Sequence, residues 1–371
     1  MNQREPIIKA IDHGRPVQGY LYTLDGWRAL SIAAVIFCHD KVHSFGPFST
    51  AVLYQHGNIG VDVFFAISGL LICSRLLDEE QKTGNISLSQ FYLRRAFRIL
   101  PPAMFFLAVL LLLKWLVDLP VSYQEVLSSI CFLRNYTFSL TLFGPLHFSP
   151  MYTSHFWSLA VEEHFYFFLP AFLLFSPKQY RVPLLILFSL LVVVHRFTSD
   201  YDPRAFHTDM RLDALLFPAA LAIQIRKPAF RERLLPLLKF WPLLLLAIFA
   251  TFYFRGSEPL SQTVLAWLLP FAVLGTMLRP ETLFGRFLEL PVLRYIGRLS
   301  YSLYLWQQLF IIGHFGVPCP KLATLQQWPW CIVSLAACAL FSYYVIERPL
   351  IRVGHHVAAR FRPQSEAVRA S

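Results

Sequence analysis

Long apolar blocks alternate with short polar segments along the whole chain. The blocks run for roughly 17 to 25 residues, the length at which a helix crosses a ~30 Å hydrocarbon layer. Composition agrees, because 56% of the 371 residues are hydrophobic and only 15% are charged. The pattern predicts an all-α, polytopic membrane helix bundle. The candidate spans are residues 24–45, 57–77, 99–117, 124–143, 155–176, 180–197, 208–225, 234–254, 261–278, 292–315 and 329–346.

The short segments between the blocks are basic, and this sets the predicted orientation. Basic segments stay in the cytoplasm by the positive-inside rule, so an even number of spans must separate each pair of them. The block at 124–143 breaks this count and is interrupted by Arg134 and Asn135, so we interpret it as re-entrant or interfacial. We therefore expect about ten transmembrane helices, with both termini cytoplasmic.

Charge and cysteine usage narrow the classes of function. The net charge of +11 does not indicate nucleic-acid binding, because the basic residues are those that orient the spans. The six cysteines form no CxxC pair and no Cys/His spacing suited to zinc, so we expect no metal and no permanently bound cofactor. We divide the chain into a cytoplasmic segment at 1–20, a transmembrane domain at 21–352 and a basic cytoplasmic tail at 353–371.

Titratable side chains inside the spans are the candidates for chemistry, because each is costly in a membrane unless it is paired or hydrated. Arg28 and His39 fall on one face of the first span, where successive residues turn by about 100°. Imidazole titrates near neutral pH and suits removal of a proton from a hydroxyl, although a histidine bonded to a neighbouring helix is the plainer interpretation. Asp62 begins the second span, where it either pairs with His39 or Arg28 or caps the helix.

Two adjacent acids, Glu162 and Glu163, lie within the aromatic segment HFWSLAVEEHFYFFLP and are flanked by His155 and His164. A lipid-facing helix does not tolerate such a pair, so at least one carboxylate must face a polar interior. A carboxylate in this position could orient His39 and stabilise the imidazolium that forms on proton transfer.

Further charges lie at the ends of spans. Arg95 and Arg98 share a face at the predicted cytoplasmic mouth of the third span, where they either stop translocation or clamp phosphates such as those of coenzyme A. Arg211 and Asp213 begin the seventh span, where they bind a hydroxylated acceptor or brace the bundle. Trp306 and Gln307 could line a cavity, although an aromatic belt explains the tryptophan equally well.

In the order of its motifs, the chain resembles the acyltransferase-3 family of integral membrane acyltransferases, which includes bacterial O-acetyltransferases of surface saccharides. The resemblance covers residues 20–352. It is carried by LDGWRAL at 24–30 with His39 beyond it, GVDVFFAISG at 60–69, FYLRRAFRILP at 91–101, HFWSLAVEEHFYFFLP at 155–170, RLDALLFPAALA at 211–222, IGRLSYSLYLWQ at 296–307 and ERPLIR at 347–352.

The resemblance implies an O-acyltransferase in the bacterial inner membrane. Its donor would be cytoplasmic acyl-CoA, with acetyl-CoA the leading expectation, and its acceptor a hydroxyl of a saccharide such as lipopolysaccharide, exopolysaccharide or a lipid-linked sugar. By matching position, Arg28 and His39 correspond to the family's first-span pair, Arg95 and Arg98 to its basic pair near the donor, and Glu162 to the acid of its S-L-x-V-E-E motif. Direct transfer and a transient acyl-enzyme are both compatible with these residues.

The predicted partners are acyl-CoA, a saccharide or glycolipid acceptor and membrane lipid. The predicted site has three parts: catalytic His39, Glu162 and Asp62; donor-binding Arg28, Arg95 and Arg98; acceptor-binding Glu163, His155, Arg211, Asp213 and Trp306.

Two positions depart from the family pattern, and one other class of protein fits the composition. Many relatives carry Gln where this chain has His164, and His where it has Gln307. Only a short tail follows ERPLIR, so we expect no attached SGNH-type esterase domain. The alternative class is a proton-coupled transporter, which would show inverted repeats and paired broken helices. The sequence shows neither feature.

Overall fold

The computed structural model describes residues 21–39, 59–137, 152–199, 205–244, 246–247, 258–311 and 319–361. The regular structure in these ranges is helical, and no strand occurs within them. This confirms the all-α class. The predicted segment 1–20 and the end of the predicted tail, residues 362–371, lie outside the described residues.

Helices of very different length make up the described chain. In chain order they are α1 (Tyr22–His39), α2 (Ile59–Thr83), α3 (Leu88–Val117), α4 (Tyr123–Ile130), α5 (Phe156–Phe175), α6 (Arg181–Thr198), α7 (Thr208–Arg211), α8 (Asp213–Gln224), α9 (Pro228–Leu238), α10 (Glu258–Leu278), α11 (Leu283–Leu288), α12 (Pro291–Phe310), a 3-10 helix (Pro320–Gln326), α13 (Trp330–Phe341), a π-helical segment (Ser342–Glu347) and α14 (Arg348–Ala359).

Six of the described helices are long and apolar enough to cross a membrane, namely α2, α3, α5, α6, α10 and the continuous run Trp330–Ala359. A helix needs about 20 predominantly apolar residues for a crossing. The chain is therefore a multi-pass membrane protein. The count of about ten spans and the cytoplasmic placement of both termini stay predictions.

Two differences between the helix boundaries and the apolar blocks bear on the site. The third span was expected to begin at residue 99, but α3 begins at Leu88, because backbone hydrogen bonding continues through polar residues that end a hydropathy window. Arg95 and Arg98 therefore lie within a helix and not before one. The block at 208–225 is broken into α7 and α8 at Leu212.

The segment expected to be re-entrant or interfacial contains only a short helix. Ser122 caps α4 by accepting a hydrogen bond from the backbone N–H of Glu125, whose side chain accepts in return from the backbone N–H of Ser122. The eight residues of α4 are too few to cross a bilayer. Turns follow as far as residue 137, and the rest of the predicted block, residues 138–143, lies outside the described residues.

The chain folds as two compact units that are each assembled from separate stretches of sequence. Unit 1 comprises Met1–Ala33, Asn58–Gly84 and His164–Arg298, and unit 2 comprises Ala34–Gly57, Asn85–Glu163 and Leu299–Ser371. The ranges divide α1, α5 and α12, so each of these helices contributes residues to both units.

Unit 1 has a core in which helix backbones approach closely. A Cβ atom on Gly69 of α2 would lie 2.4 Å from the carbonyl oxygen of Leu215 in α8, so only glycine fits this crossing. A Cβ atom on Gly297 of α12 would lie 1.9 Å from the carbonyl oxygen of Asp25 in α1. These contacts fix the spacing of the helices that carry the charges of this unit.

Unit 2 has a core rich in aromatic side chains. Phe106 of α3 is fully buried and lies against the rings of His155, Phe156 and Trp306, with centroid separations of 5.6, 6.0 and 5.3 Å. Edge-to-face and offset contacts of this kind stabilise beyond the buried area alone. They hold the N-terminal end of α5 and the C-terminal half of α12 against α3.

Candidate active site

His39 is the last residue of α1, and two adjacent amide side chains of α12 hold its ring. Its Nδ1 atom lies 3.1 Å from Oε1 of Gln307. Its Nε2 atom lies 3.4 Å from Nε2 of Gln308. Both contacts lie within unit 2, so one helix engages both nitrogens of the imidazole.

His155 belongs to the same cluster through Gln308. The backbone N–H of His155 donates to Oε1 of Gln308 at 3.2 Å, and the Nδ1 atom of His155 lies 2.8 Å from the same oxygen. The hydroxyl of Ser154 also donates to it, at 2.9 Å. Gln308 therefore links the two imidazoles. We call His39, His155, Gln307 and Gln308 the histidine cluster.

The ring of His155 is held on its other sides by aromatic and hydroxyl groups. Tyr304 donates its hydroxyl to the carbonyl oxygen of His155 at 2.8 Å, and its oxygen lies 2.5 Å from the hydroxyl of Ser158. The rings of Phe106, Phe156 and Tyr304 lie 4.9 to 5.6 Å from the imidazole centroid. His155 is 1% exposed, and its Nε2 atom has no hydrogen-bond partner among the described residues.

Trp306 precedes the two glutamines and is packed among aromatic rings. Its indole lies against Phe105 and Phe106, at centroid separations of 5.9 and 5.3 Å. The side chain is 3% exposed, and its N–H has no acceptor within the described part of the chain. A buried indole N–H normally finds an acceptor, so this donor is suited to a ligand.

The predicted acids and arginines of unit 2 lie on α3 and α5. Arg95 and Glu162 are the charged groups that act electrostatically on Glu163. One carboxylate oxygen of Glu163 is buried and accepts no hydrogen bond from the described residues. Arg95 also lies over the ring of Phe91, with its guanidinium carbon 5.9 Å from the ring centroid.

Arg98 and Glu347 are two further charged groups of unit 2. The Glu347 carboxylate ends the π-helical segment and accepts a hydrogen bond from the hydroxyl of Ser302 at 2.8 Å. Arg98 acts on Glu347 electrostatically. Among the described residues, the Arg98 guanidinium makes no hydrogen bond and no ion pair within 4 Å.

The charges predicted in unit 1 are paired with one another. Asp62 forms an ion pair with Arg211 at 2.6 Å, and Asp213 forms one with Arg196. Asp62 thus has a partner other than the His39 or Arg28 that the sequence suggested, because Arg211 of α7 engages its carboxylate. The catalytic role of Asp62 stays a prediction. The geometry favours a bracing role for Arg211 and Asp213. Their acceptor-binding role stays a prediction.

Two further residues of unit 1, Arg28 and His164, have partners within that unit. Arg28 lies 3.4 Å from the carboxylate of Asp25, one turn earlier in α1. His164 has its Nδ1 atom 2.6 Å from the hydroxyl of Thr208. The donor-binding role of Arg28 stays a prediction.

Comparison with known proteins identifies the family. A family model described as an acyltransferase domain matches residues 21–348. The chain belongs to the acyltransferase-3 family. The matched range contains every residue of the predicted site, so the predicted site lies within an acyltransferase domain.

The relatives that resemble this acyltransferase are longer proteins. The O-acetyltransferase OatA of Staphylococcus aureus strain MRSA252 is 29% identical over 373 residues, which is 94% of this chain and 60% of that protein. The OatA of strain NCTC 8325 is 29% identical over 372 residues, with the same coverage. The chain thus spans about three fifths of the length of these relatives. No solved structure matches it.

Sequence reasoning missed part of the site of this acyltransferase. Gln308 and Tyr304 were not singled out, although two successive amides, Gln307 and Gln308, in an apolar helix are a usable signal, because polar side chains in membrane helices form interhelical hydrogen bonds. Gln307 was predicted to line a cavity and was also recognised as a departure from the family pattern. Among the described residues, no group of three His, Cys, Asp or Glu side chains is placed to hold a metal ion.

Arg134 was noticed only as an interruption of a span, and the structure explains it. Its guanidinium pairs with Glu125 at 2.9 Å and donates to the hydroxyls of Thr137 and Thr153 at 2.6 and 3.0 Å. Burial lowers the pKa of Arg134, and the carboxylate of Glu125 opposes this effect. The residue therefore fixes the segment after α4 to the turn before α5.

Proposed function

We propose that this acyltransferase is a membrane O-acetyltransferase that transfers acetyl from acetyl-CoA at the cytoplasmic side to a hydroxyl of a saccharide in the bacterial inner membrane. One observation carries the proposal. Inside an acyltransferase domain, an imidazole at the end of α1 is held at both nitrogens by neutral amides. The names of the two OatA relatives support acetyl as the group and oxygen as the acceptor atom.

The proposed reaction uses His39 as the general base. The imidazole takes the proton of the acceptor hydroxyl while the hydroxyl oxygen attacks the thioester carbonyl carbon. The tetrahedral intermediate then collapses, the carbon–sulfur bond breaks, and the imidazolium returns the proton to the departing sulfur. The products are an acetyl ester and coenzyme A. Glu162 supplies the negative charge that favours the transient imidazolium.

We assign donor binding to the arginines of α3. A guanidinium that has no partner among the described residues is suited to an anion, and Arg98 fulfils this condition. Arg95 lies one turn earlier on the same helix, so both can address the phosphates of coenzyme A. Phosphate binding would also offset the cost of an arginine at the edge of a membrane.

We assign acceptor binding to the open polar atoms near the histidine cluster. A sugar hydroxyl is both a donor and an acceptor of hydrogen bonds. His155 offers a nitrogen that lacks a partner among the described residues, and Trp306 offers an N–H in the same condition. Glu163 adds a buried carboxylate oxygen that accepts no bond from the described chain. These three groups match the hydrogen bonds of a polyhydroxylated ligand.

The test is acetyl transfer by membrane vesicles that contain the chain and receive radiolabelled acetyl-CoA. His39→Ala should lower label in the alkali-labile ester fraction of the glycans at least about 100-fold. The matched control is His356→Ala, because His356 is exposed on α14 and bonds only the backbone oxygen of Arg352 in the described structure. Wild-type rates in His39→Ala would refute the assignment. Saccharide accumulation without release of coenzyme A would indicate a transporter instead.

A further inference from the structure

The orientation of one amide in the histidine cluster follows from a backbone group. The backbone N–H of His155 can only donate a hydrogen bond, so the atom of Gln308 that it contacts at 3.2 Å must be the amide oxygen. The hydroxyl of Ser154 bonds the same oxygen at 2.9 Å. The amide nitrogen of Gln308 therefore has to face the other way, toward His39.

The orientation of Gln308 determines the tautomer of His39. An amide nitrogen can only donate, so the Nε2 atom of His39 that faces it at 3.4 Å must carry a lone pair. A neutral imidazole with its lone pair on Nε2 carries its hydrogen on Nδ1. That hydrogen points to Gln307 at 3.1 Å, which must then present its oxygen. The assignment agrees with the Nε2 atom of Gln307, which has no acceptor among the described residues.

We propose that Gln307 and Gln308 are positioning residues that hold His39 as the Nδ1–H tautomer, with the lone pair of Nε2 directed at the acceptor hydroxyl. The catalytic meaning of this arrangement rests on the proposed function. The Gln308 contact is longer than the ordinary 2.9 to 3.0 Å of a hydrogen bond from nitrogen. The contact therefore selects the tautomer in the resting enzyme. It is weak enough to break when a hydroxyl approaches, which leaves the lone pair of Nε2 available to that hydroxyl.

The consequence of losing the correct tautomer is large in enzymes that use a histidine base. In the serine-protease triad, an amide in place of the orienting carboxylate inverts the tautomer and costs about 10⁴ in turnover. In this chain neutral amides occupy the orienting positions, and two of them contact opposite nitrogens. The atom that each amide presents to the imidazole therefore determines the tautomer of His39. The two adjacent glutamines have opposite roles, because one accepts a hydrogen bond and the other donates one.

Opposite roles can be tested by the same isosteric change at both positions. Gln307→Glu keeps an oxygen acceptor for Nδ1–H and removes an amino group that bonds no described residue, while its carboxylate makes the imidazole more basic. Its maximal acetyl-transfer rate should fall at least about tenfold less than that of Gln308→Glu, because the Nδ1–H of His39 keeps its acceptor. Gln308→Glu keeps the acceptor for His155 but replaces the donor that faces Nε2 of His39 with an oxygen. Its maximal rate should fall at least about 50-fold, toward the loss seen with a wrong tautomer.

Each rate is taken at that variant's own optimum pH, so that a change in basicity alone does not count as a loss. The titratable and charged groups that act on the cluster within unit 2 are His155, Tyr304, Arg134 through its field at His155, and Glu162 through its field at Tyr304. Both variants keep these groups unchanged. Equal impairment of the two variants, or a tolerated Gln308→Glu with an impaired Gln307→Glu, would overturn the proposal.

A spectroscopic readout separates this inference from the proposed function. The nitrogen spectrum of purified protein labelled with ¹⁵N-histidine reports which ring nitrogen carries hydrogen, and the His39→Ala variant identifies the signal. Wild type and Gln307→Glu should show His39 as Nδ1–H, and Gln308→Glu should not. An Nε2–H signal in wild type refutes the inference even if Gln308→Glu fails to fold. Acetyl transfer that survives His39→Ala refutes the proposed function and leaves the tautomer measurement standing.

Discussion

Two buried polar regions of this acyltransferase solve the same physical problem in different ways. The charge cluster of unit 1 consists of Asp62, Arg211, Asp213 and Arg196, and each acid forms an ion pair with an arginine. The histidine cluster of unit 2 is built from imidazoles and amides and contains no full charge of its own when the histidines are neutral. Both regions keep polar groups out of contact with lipid.

The difference lies in how the polar groups are engaged. In the charge cluster, Arg196 also donates to the carbonyl oxygen of Met210 and to the hydroxyl of Thr263 at 2.7 Å, so its capacity is used inside the protein. Near the histidine cluster, the Nε2 atom of His155 and the N–H of Trp306 have no partner among the described residues. One oxygen of Asp213 also lacks a partner among the described residues, but its carboxylate is held by Arg196, so the ion pairs brace the helices. The imidazole and the indole are neutral and have no ion pair to break before they bind substrate.

Breaking the charge cluster should have the largest effect on stability. Arg211→Met removes one partner of a buried pair and leaves the carboxylate of Asp62 uncompensated, since both side chains are almost fully buried. We expect a loss of about 3 to 5 kcal/mol in the free energy of unfolding. Thermal unfolding in detergent, followed by circular dichroism or tryptophan fluorescence, measures it.

A second substitution distinguishes loss of the pair from loss of packing. Asp62→Asn combined with Arg211→Met removes both charges, so the double variant should recover part of the stability lost in the single variant. Arg352→Met is the control, because Arg352 is exposed on α14 and its change should stay within about 0.5 kcal/mol. No recovery in the double variant would mean that packing, and not charge, accounts for the loss.

Arg98 contrasts with Arg211, because its guanidinium has no hydrogen-bond partner among the described residues. Arg98→Met should leave the unfolding temperature nearly unchanged and raise KM for acetyl-CoA, because a charge-assisted bond to phosphate is worth about 1.5 to 3 kcal/mol, or roughly 10- to 100-fold. Steady-state kinetics at fixed acceptor concentration measures KM, and kcat should change little. An unchanged KM together with loss of folding would make Arg98 a bracing residue like Arg211.

Much of the fold was accessible from the sequence, because a membrane leaves few choices. Apolar blocks long enough for a crossing predicted an all-α bundle, and backbone groups in lipid must be satisfied within helices. The doubt about the block at 124–143 also agrees with the structure, where α4 has eight residues. Hydropathy failed at Leu88, where a polar stretch continues the helix, and at Leu212, where an apolar stretch is broken.

The site was predicted less completely, because a sequence shows which residues carry charge but not which partners they find. Asp62 and Asp213 were as conspicuous as Glu162, yet both are ion-paired in unit 1. Gln308 carries no charge and was not among the predicted site residues, although it links His39 and His155. Partner choice depends on which helices meet, and that information is tertiary.

The open N–H of Trp306 can be tested without disturbing its packing. Trp306→Phe keeps a ring against Phe105 and Phe106 and removes a donor that has no acceptor in the described structure, so stability should change by less than about 1 kcal/mol. If the N–H binds the saccharide, KM for the acceptor should rise up to about tenfold, the equivalent of one hydrogen bond. A change in stability without a change in KM would place Trp306 with the bracing residues.

The smallest effect on stability is expected at an exposed ion pair, because an ion pair braces helices only where it is buried. Lys321 donates to Asp118 at 2.8 Å, and this bond together with the charge of Lys321 lowers the pKa of Asp118 below its ordinary value of 3.8. A lowered carboxyl pKa contributes stability only above the pKa of the unfolded state, and that contribution disappears as the pH falls through the folded value. Water screens both side chains, so Lys321→Ala should not measurably change the unfolding temperature near neutral pH or in acid. If Lys321→Ala lowered the unfolding temperature near neutral pH as much as Arg211→Met does, burial would not explain why the ion pairs of the charge cluster stabilise the protein.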